Sequence, residues 1–294
     1  MLQMVNKNAA LFLLLLLLCG CEKIDFKGFI MPTGDAVNSR FEQSLEMNNS
    51  KPVACIEADE SYLFYVATDT HINDNTCTLD SFVNALRNDA GASFGVMLGD
   101  CIDKRGCMSV YLDAITHKPD VQKYPTPIFS VIGNHDLYFS GWEDFRELIG
   151  PSVFWFEVKH SGGKDIFISL DTASGTLGSK QTKWLREFLA KERGKYRHCI
   201  VVTHTNLLYT DRSQNSSGNM PMEETQALLE LFGEYNVLLC LQGHDHHRED
   251  ITFDGVRYTI VGTIRYEVEK PEYLCIRVSK NGAEYDWRYV TVTE

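Results

Sequence analysis

Five short polar blocks punctuate the chain in a fixed order, each at or just beyond the end of an apolar, β-type run. They are Asp69-Thr70-His71, Gly99-Asp100, Gly133-Asn134-His135-Asp136, Thr203-His204 and Gly243-His244-Asp245-His246. In open α/β sheets, functional side chains gather beyond the carboxyl ends of strands. A fold that exploits these blocks therefore has to bring five strand exits together. Gly99, Gly133 and Gly243 each directly precede a candidate ligand, where a sharp turn is cheapest for glycine.

The remaining pattern agrees with that demand. Tyr62 to Ala67, Phe94 to Leu98, Ile128 to Ile132, Ile166 to Leu170, Cys199 to Val202 and Val237 to Leu241 read as strands. They are rich in Val, Ile and Leu and barely alternate, as sheets buried on both faces do. Amphipathic stretches separate them. Thr78 to Asn88 reads as a helix capped by Thr78, followed by Asp144 to Ile149, Ser179 to Lys191 and Glu223 to Tyr235. Strands interleaved with helices predict an α/β architecture. Tyr258 to Val261, Tyr273 to Val278 and Tyr285 to Val292 are strand-like, with a hairpin signal at Lys280-Asn281-Gly282, so the C-terminus is expected to complete a second, antiparallel sheet.

Within 294 residues there is no repeat or convincing linker. The expected division is a signal peptide at 1–20, a lipidated extension at 21–58 and one catalytic domain at 59–294. Lys7 precedes an unbroken apolar run, Ala9 to Leu18. Ten apolar residues are too few for a membrane-spanning helix, which needs ~20, and suit a secretory signal. Leu18-Cys19-Gly20-Cys21 resembles a bacterial lipobox, which implies cleavage before a lipidated Cys21 and a membrane anchor. Glu22, where aspartate is the usual inner-membrane retention signal, points to the outer membrane of a bacterial envelope. Phe26, Phe29, Ile30, Met31, Phe41 and Leu45 suggest that part of the extension docks on the domain.

The formal net charge of −12 and the lack of a basic run disfavour nucleic acid as a partner. A small phosphate ester stays open, since a local metal charge outweighs a distant acidic surface. Of nine cysteines, seven remain after Cys19 and Cys21. An odd seven in a chain of this size is no disulfide scaffold, and the lack of CxxC argues against a cysteine zinc site. Cys199 and Cys240 sit in apolar runs as buried thiols, while Cys101 and Cys107 flank a short loop across which a disulfide is conceivable.

Asp69, His71, Asp100, Asn134, His204, His244 and His246 offer two carboxylates, an amide and four imidazoles, close to a full ligand set for two metal ions. Imidazole suits Zn, Fe and Mn, and a carboxylate can bridge. Two divalent cations bring about +4, which two carboxylates and a bridging hydroxide reduce to roughly +1, favouring an anionic phosphate. Coordinated water falls toward a pKa of ~7, so hydroxide is available for attack at neutral pH. His135, beside Asn134 but not needed as a ligand, is placed to donate to a phosphoryl oxygen or leaving group, with Asp136 expected to hold its tautomer.

The series DxH, GD, GNHD, TH and GHxH resembles the calcineurin-like metallophosphoesterase superfamily, over about Tyr62 to His246. The resemblance implies a four-layer sandwich of two mixed β-sheets flanked by helices. It implies a first metal held by Asp69, His71, Asp100 and His246, and a second by Asp100, Asn134, His204 and His244. Asp100 would bridge and His135 would be catalytic. Two departures matter: plant-type purple acid phosphatases have DxG and a tyrosine ligand where His71 and Asp103 stand here, so no tyrosinate colour band is expected. Leu170-Asp171-Thr172 with Gln181, Trp184 and Leu185 resembles exported members. His117, His160, His198 and His247 read as structural or surface histidines, Trp184 as core and Arg212 as a loop arginine. Asp103 is balanced between orienting the Asp100 loop and exposure, and Asp171 is read as a strand-end turn residue. The reading is a dinuclear phosphoesterase acting on mono- or diesters, with metal identity, substrate-binding residues and oligomeric state open. Its rival is a lipid-anchored ligand-binding surface protein with a structural metal site.

Overall fold

A computed structural model of the chain describes residues 36–292 apart from 105, 117–125, 139 and 209–219. The signal, Cys21, His117 and Arg212 lie outside the described residues. The described residues all belong to one compact unit, Gly34–Glu294.

Its elements run α1 (Val37–Asn49), β1 (Ala54–Glu57), β2 (Tyr62–Ala67), α2 (Cys77–Asn88), β3 (Ala92–Met97), α3 (Met108–Thr116), β4 (Ile128–Ser130) and α4 (Gly141–Leu148). Then follow β5 (Phe154–His160), β6 (Gly163–Ser169), α5 (Gly178–Glu192), β7 (Cys199–Val202), α6 (Met222–Glu234), β8 (Leu239–Gln242), β9 (Glu249–Phe253), β10 (Val256–Ile260), β11 (Glu272–Ser279) and β12 (Gly282–Tyr289). Five strands form one sheet, ordered β12-β11-β2-β3-β4, and seven form the other, ordered β1-β5-β6-β7-β8-β10-β9. Both mix parallel and antiparallel neighbours: β2, β3 and β4 run parallel, as do β6, β7, β8 and β10.

Side-chain parity sets four layers. Along a strand, successive side chains face opposite ways. In β2, Tyr62, Phe64 and Val66 enter the core between the sheets, while Leu63, Tyr65 and Ala67 meet α2, α3 and α4. In β7, Ile200 and Val202 face the same inter-sheet core, and Cys199 and Val201 meet α5 and α6. Both faces of these strands are covered by apolar side chains, which is why their sequences barely alternate. Phe94 closes the middle, stacked on Phe64 at 5.0 Å and set edge-on to Phe156 and Phe167 of the opposite sheet at 5.3 and 5.2 Å.

Several details depart from the sequence reading. Asn75 Oδ1 accepts the Cys77 amide at 2.9 Å, starting α2 before the expected Thr78 cap. β11 and β12 form the antiparallel hairpin that the turn signal predicted, and β11 also pairs antiparallel with β2. The Tyr258 strand does not join it: β10 lies parallel to β8 in the larger sheet. Cys101 and Cys107 are free, buried thiols, with Cys107 Sγ donating to the Asn73 carbonyl. His160 is buried against Tyr62, His198 donates to the Ser279 carbonyl, and Trp184 packs among Phe41, Trp155 and Phe188.

Both α1 and β1 precede residue 59, and both are built into the body. β1 pairs parallel with β5. From α1, the Ser44 hydroxyl bonds Ser152 (3.1 Å), Asn48 donates to the Val153 carbonyl and Arg40 pairs with Asp171.

Because Phe94 contacts aromatic rings of both sheets, Phe94→Ala is expected to cost about 3–5 kcal/mol, read as a lower denaturation midpoint in urea. A loss under 1 kcal/mol would mean the inter-sheet core is not packed this way.

Candidate metal centre

All five polar blocks leave carboxyl ends of strands at one edge of the sandwich. Asp69 follows β2, Asp100 follows β3 and Asn134 follows β4 on one sheet; His204 follows β7, and His244 and His246 follow β8 on the other. Five of these seven residues hold left-handed backbone: Asp69 (φ 54°), His71 (47°), Asp100 (50°), His244 (73°) and His246 (59°). Such conformations cost roughly 1–3 kcal/mol each for a non-glycine residue and persist only where surroundings impose them. The surroundings are cross-block hydrogen bonds. Asp69 N donates to Gly99 O, His71 N to Asp100 O, Gly243 N to His204 O and the Thr263 hydroxyl to Asp69 O. Close approach also demands glycine: a methyl on Gly133 would overlap Asp100, and one on Gly243 would overlap Thr68 Oγ1.

The side chains form two donor groups. In the first, His71 Nε2 and His246 Nε2 are 3.1 Å apart, and Asp69 Oδ1 is 3.6 and 3.2 Å from them. In the second, His204 Nε2 lies 3.3 Å from Asp100 Oδ1, 3.1 Å from Asn134 Oδ1 and 3.2 Å from His244 Nδ1. Asp100 stands between them, its other oxygen 3.8 Å from His71 Nε2. Tautomers follow from partners that can only accept. His204 Nδ1 donates to the Leu98 carbonyl at 2.8 Å, which turns the Nε2 lone pair inward. Asn134 Nδ2 donates to the Tyr138 hydroxyl at 3.3 Å, which aims Oδ1 at His204. Two imidazole nitrogens facing each other at 3.1 Å need a proton or a cation between them. Each group is thus a nitrogen-and-oxygen set that fits a borderline divalent ion.

The neighbouring carboxylates favour protonated imidazoles at these positions. Burial pushes His71 down, but hydrogen bonds to Asp103 and Asp69 lift it to about 10. Burial likewise opposes His204, and the Asp100 charge raises it to about 9. The carboxylates respond in kind: burial favours their neutral forms, yet His246 and His71 hold Asp69 well below its ordinary range, and His204 brings Asp100 to about 2. Burial and the His204 charge lower His244 to about 4, so its imidazole is neutral near pH 7, with one of its two ring nitrogens unprotonated.

His135 stands at the mouth, its side chain 18 % exposed. The orienting partner differs from the one expected. Asp103 Oδ1, not Asp136, lies on His135 Nδ1, at 2.7 Å, and is also 3.5 Å from His71 Nδ1. Asp103 Oδ2 faces Arg265 Nη2 at 3.4 Å. Asp136 is fully buried and spends both oxygens on backbone: the amides of Cys101, Ile102 and Gly133. Burial, then the Asp100 charge, raise it to about 7. Its place is to fasten the third block to the second. Tyr138 and Arg265 were not visible as site residues; Tyr138, four residues after Asn134, was the only one with a local spacing signal. His247 lies half-exposed outside both groups, between Asp245 and Glu249.

Comparison with known proteins follows this geometry. A family model described as calcineurin-like phosphoesterase matches residues 62–248, which contain all five blocks. Among solved structures, a dimetal phosphatase from Danio rerio is similar with a TM-score of 0.55 at 14% identity, over 79% of this chain and 99% of that one. Purple acid phosphatase from yellow lupin (Lupinus luteus) seeds gives 0.58 at 14% identity, over 80% of this chain and 53% of the plant protein. GAP50, the anchor in the inner membrane complex of Plasmodium, gives 0.59 at 15% identity, over 80% and 87%. At such identities the likeness is one of fold. No curated protein matches by sequence.

With His71 and His204 protonated at pH 7, a cation must displace protons to enter. Zn²⁺ uptake by the metal-free protein is expected to release about two protons and to tighten as pH rises from 6 to 9. Calorimetry in buffers of different ionisation enthalpy reads this directly. Uptake without proton release would contradict the assigned donors.

Proposed function

The chain belongs to the calcineurin-like phosphoesterase family, a metal-dependent phosphoric ester hydrolase, and from that premise we propose that it works through two cations sharing Asp100. Asp69, His71, Asp100 and His246 would hold one; Asp100, Asn134, His204 and His244 the other. The observation that carries this is the Asp100 carboxylate, buried with one oxygen 3.3 Å from His204 and the other 3.8 Å from His71. Mn, Fe and Zn all suit the donors. When bound, the pair would supply Lewis-acid charge to the phosphoryl group and an acidified water as nucleophile.

The chain's own residues supply the rest. His135 Nδ1 is held by Asp103, and Nε2 turns toward the Asp100 side at 3.9 Å. That nitrogen is the one able to reach a phosphoryl or leaving-group oxygen. Arg265 keeps Asp103 from rotating away, itself steadied by Glu267 at 2.9 Å. Phosphate mono- and diesters both fit the reading. A partly open site with a poised histidine supports catalysis over the rival reading of a purely structural metal site, since structural sites are closed by protein ligands.

Location rests on the N-terminal sequence: we propose export, lipidation at Cys21 and outer-membrane anchoring. Among the described residues no helix is long and apolar enough to cross a membrane. Palmitate labelling should mark the wild type and be lost in Cys21→Ala; labelling of that variant would reject the anchor.

Hydrolysis of a chromogenic monoester and diester with Mn²⁺ or Zn²⁺ tests the chemistry. His135→Ala should lose roughly 10²–10⁴ in rate while still binding metal. Asp103→Asn should lose activity in the same direction by less, and Asn134→Ala should weaken metal. Unchanged turnover in all three would reject the site. A wild type that binds two metals yet hydrolyses neither ester would favour the binding-protein reading.

A further inference from the structure

Helix α1 reaches the metal-ligand loop through one buried ion pair. Arg40 and Asp171 are both 0 % exposed. The guanidinium donates from Nε at 2.8 Å and Nη2 at 2.9 Å to the two carboxylate oxygens, and from Nη2 to Ser174 Oγ at 3.0 Å. The Asp171 backbone is fixed from its other side: its N–H donates to Gln181 Oε1 and its carbonyl accepts from Gln181 Nε2.

The next residue turns toward His204. Thr172 Oγ1 accepts from the His204 amide at 3.3 Å and the Thr205 amide at 2.8 Å, and bonds Thr203 Oγ1 at 2.8 Å. Thr203 Oγ1 donates onward to the Leu170 carbonyl, so the Thr172 hydroxyl is the donor in their shared bond. A hydroxyl can accept twice and donate once, and Thr172 uses all three. The Thr172 carbonyl also accepts the Thr205 hydroxyl at 2.8 Å. Thr172, Thr203, His204 and Thr205 are buried. No water-exposed slack exists in this run to absorb a shift of the 171–172 turn.

We infer that Arg40 is a positioning residue for the metal centre. The ion pair sets the Asp171-Thr172 turn, and Thr172 sets the backbone of His204, whose Nε2 faces Asn134 and Asp100. Without the guanidinium, Asp171 keeps the Ala173 amide at 3.2 Å but loses its counter-charge, and the turn must shift to hydrate the buried carboxylate. The N-terminal helix is therefore part of the metal site's support, although it lies far from the ligands in sequence. This inference rests on the two-cation reading.

Full-length protein stripped by chelation and titrated with Zn²⁺ against a chromogenic chelator tests it. Wild type should bind about two ions. Arg40→Ala should weaken one ion by roughly 10–100-fold and leave the other unchanged, the usual size for losing a group that orients a ligand. Thr172→Val, which leaves α1 docked, should weaken the same ion. Ser44→Ala loosens α1 at Ser152, away from Asp171, and should keep both affinities. Wild-type affinity in both Arg40→Ala and Thr172→Val would overturn the inference alone, and so would an equal loss in Ser44→Ala. Fewer than two ions on wild type would overturn the two-cation reading and this inference with it.

Discussion

One buried carboxylate governs the arrangement. Asp100 is 2 % exposed, and isolated burial of a charge is expensive enough that it must be answered. Here it is answered from two sides, by imidazoles on two different sheets, and by the His135 amide at 2.8 Å. Among the described residues, no other side chain contacts both donor groups and His135 at once. Asp136 seconds it, fastening the turn that carries Asn134 to the loop that carries Asp100.

The fold exists in a form that can bear this. Left-handed backbone at five ligand positions is a local cost that a lone loop could not sustain. The cost is spread over a rigid frame: two sheets clamped by an aromatic core, with loops laced to one another by backbone hydrogen bonds. The same frame holds the Asp69 and Asp100 carboxylates buried near each other, a like-charge cost that cations of the right size would offset. The account of stability and the account of chemistry meet there.

Much of this was legible in the linear chain because the signals are local. A glycine before a ligand, a polar block after a Val-rich run and a helical apolar face are each written within a few residues. Most strands and the four expected helices follow from them. What was hidden is long-range. β5 carries Phe, Trp and Glu on an edge pair with β1, without the Val-rich signature of the inner strands. α1 docks through Phe41, packed on Trp184 as its apolar side chains suggested, but also through polar groups, Arg40 and Ser44, whose partners lie over 100 residues away. Asp136 seemed the partner of His135 because it is adjacent, but adjacent side chains on a tight turn diverge. The carboxylate that meets the ring is Asp103, delivered by another loop.

The central claim is that Asp100 lies between two cations. Anomalous diffraction from crystals of the Mn²⁺- or Zn²⁺-loaded protein tests it most directly. The account predicts two peaks roughly 3.5–4 Å apart, one within reach of Asp69, His71 and His246, the other of Asn134, His204 and His244, with Asp100 touching both. A single peak, or two that do not share Asp100, would contradict it.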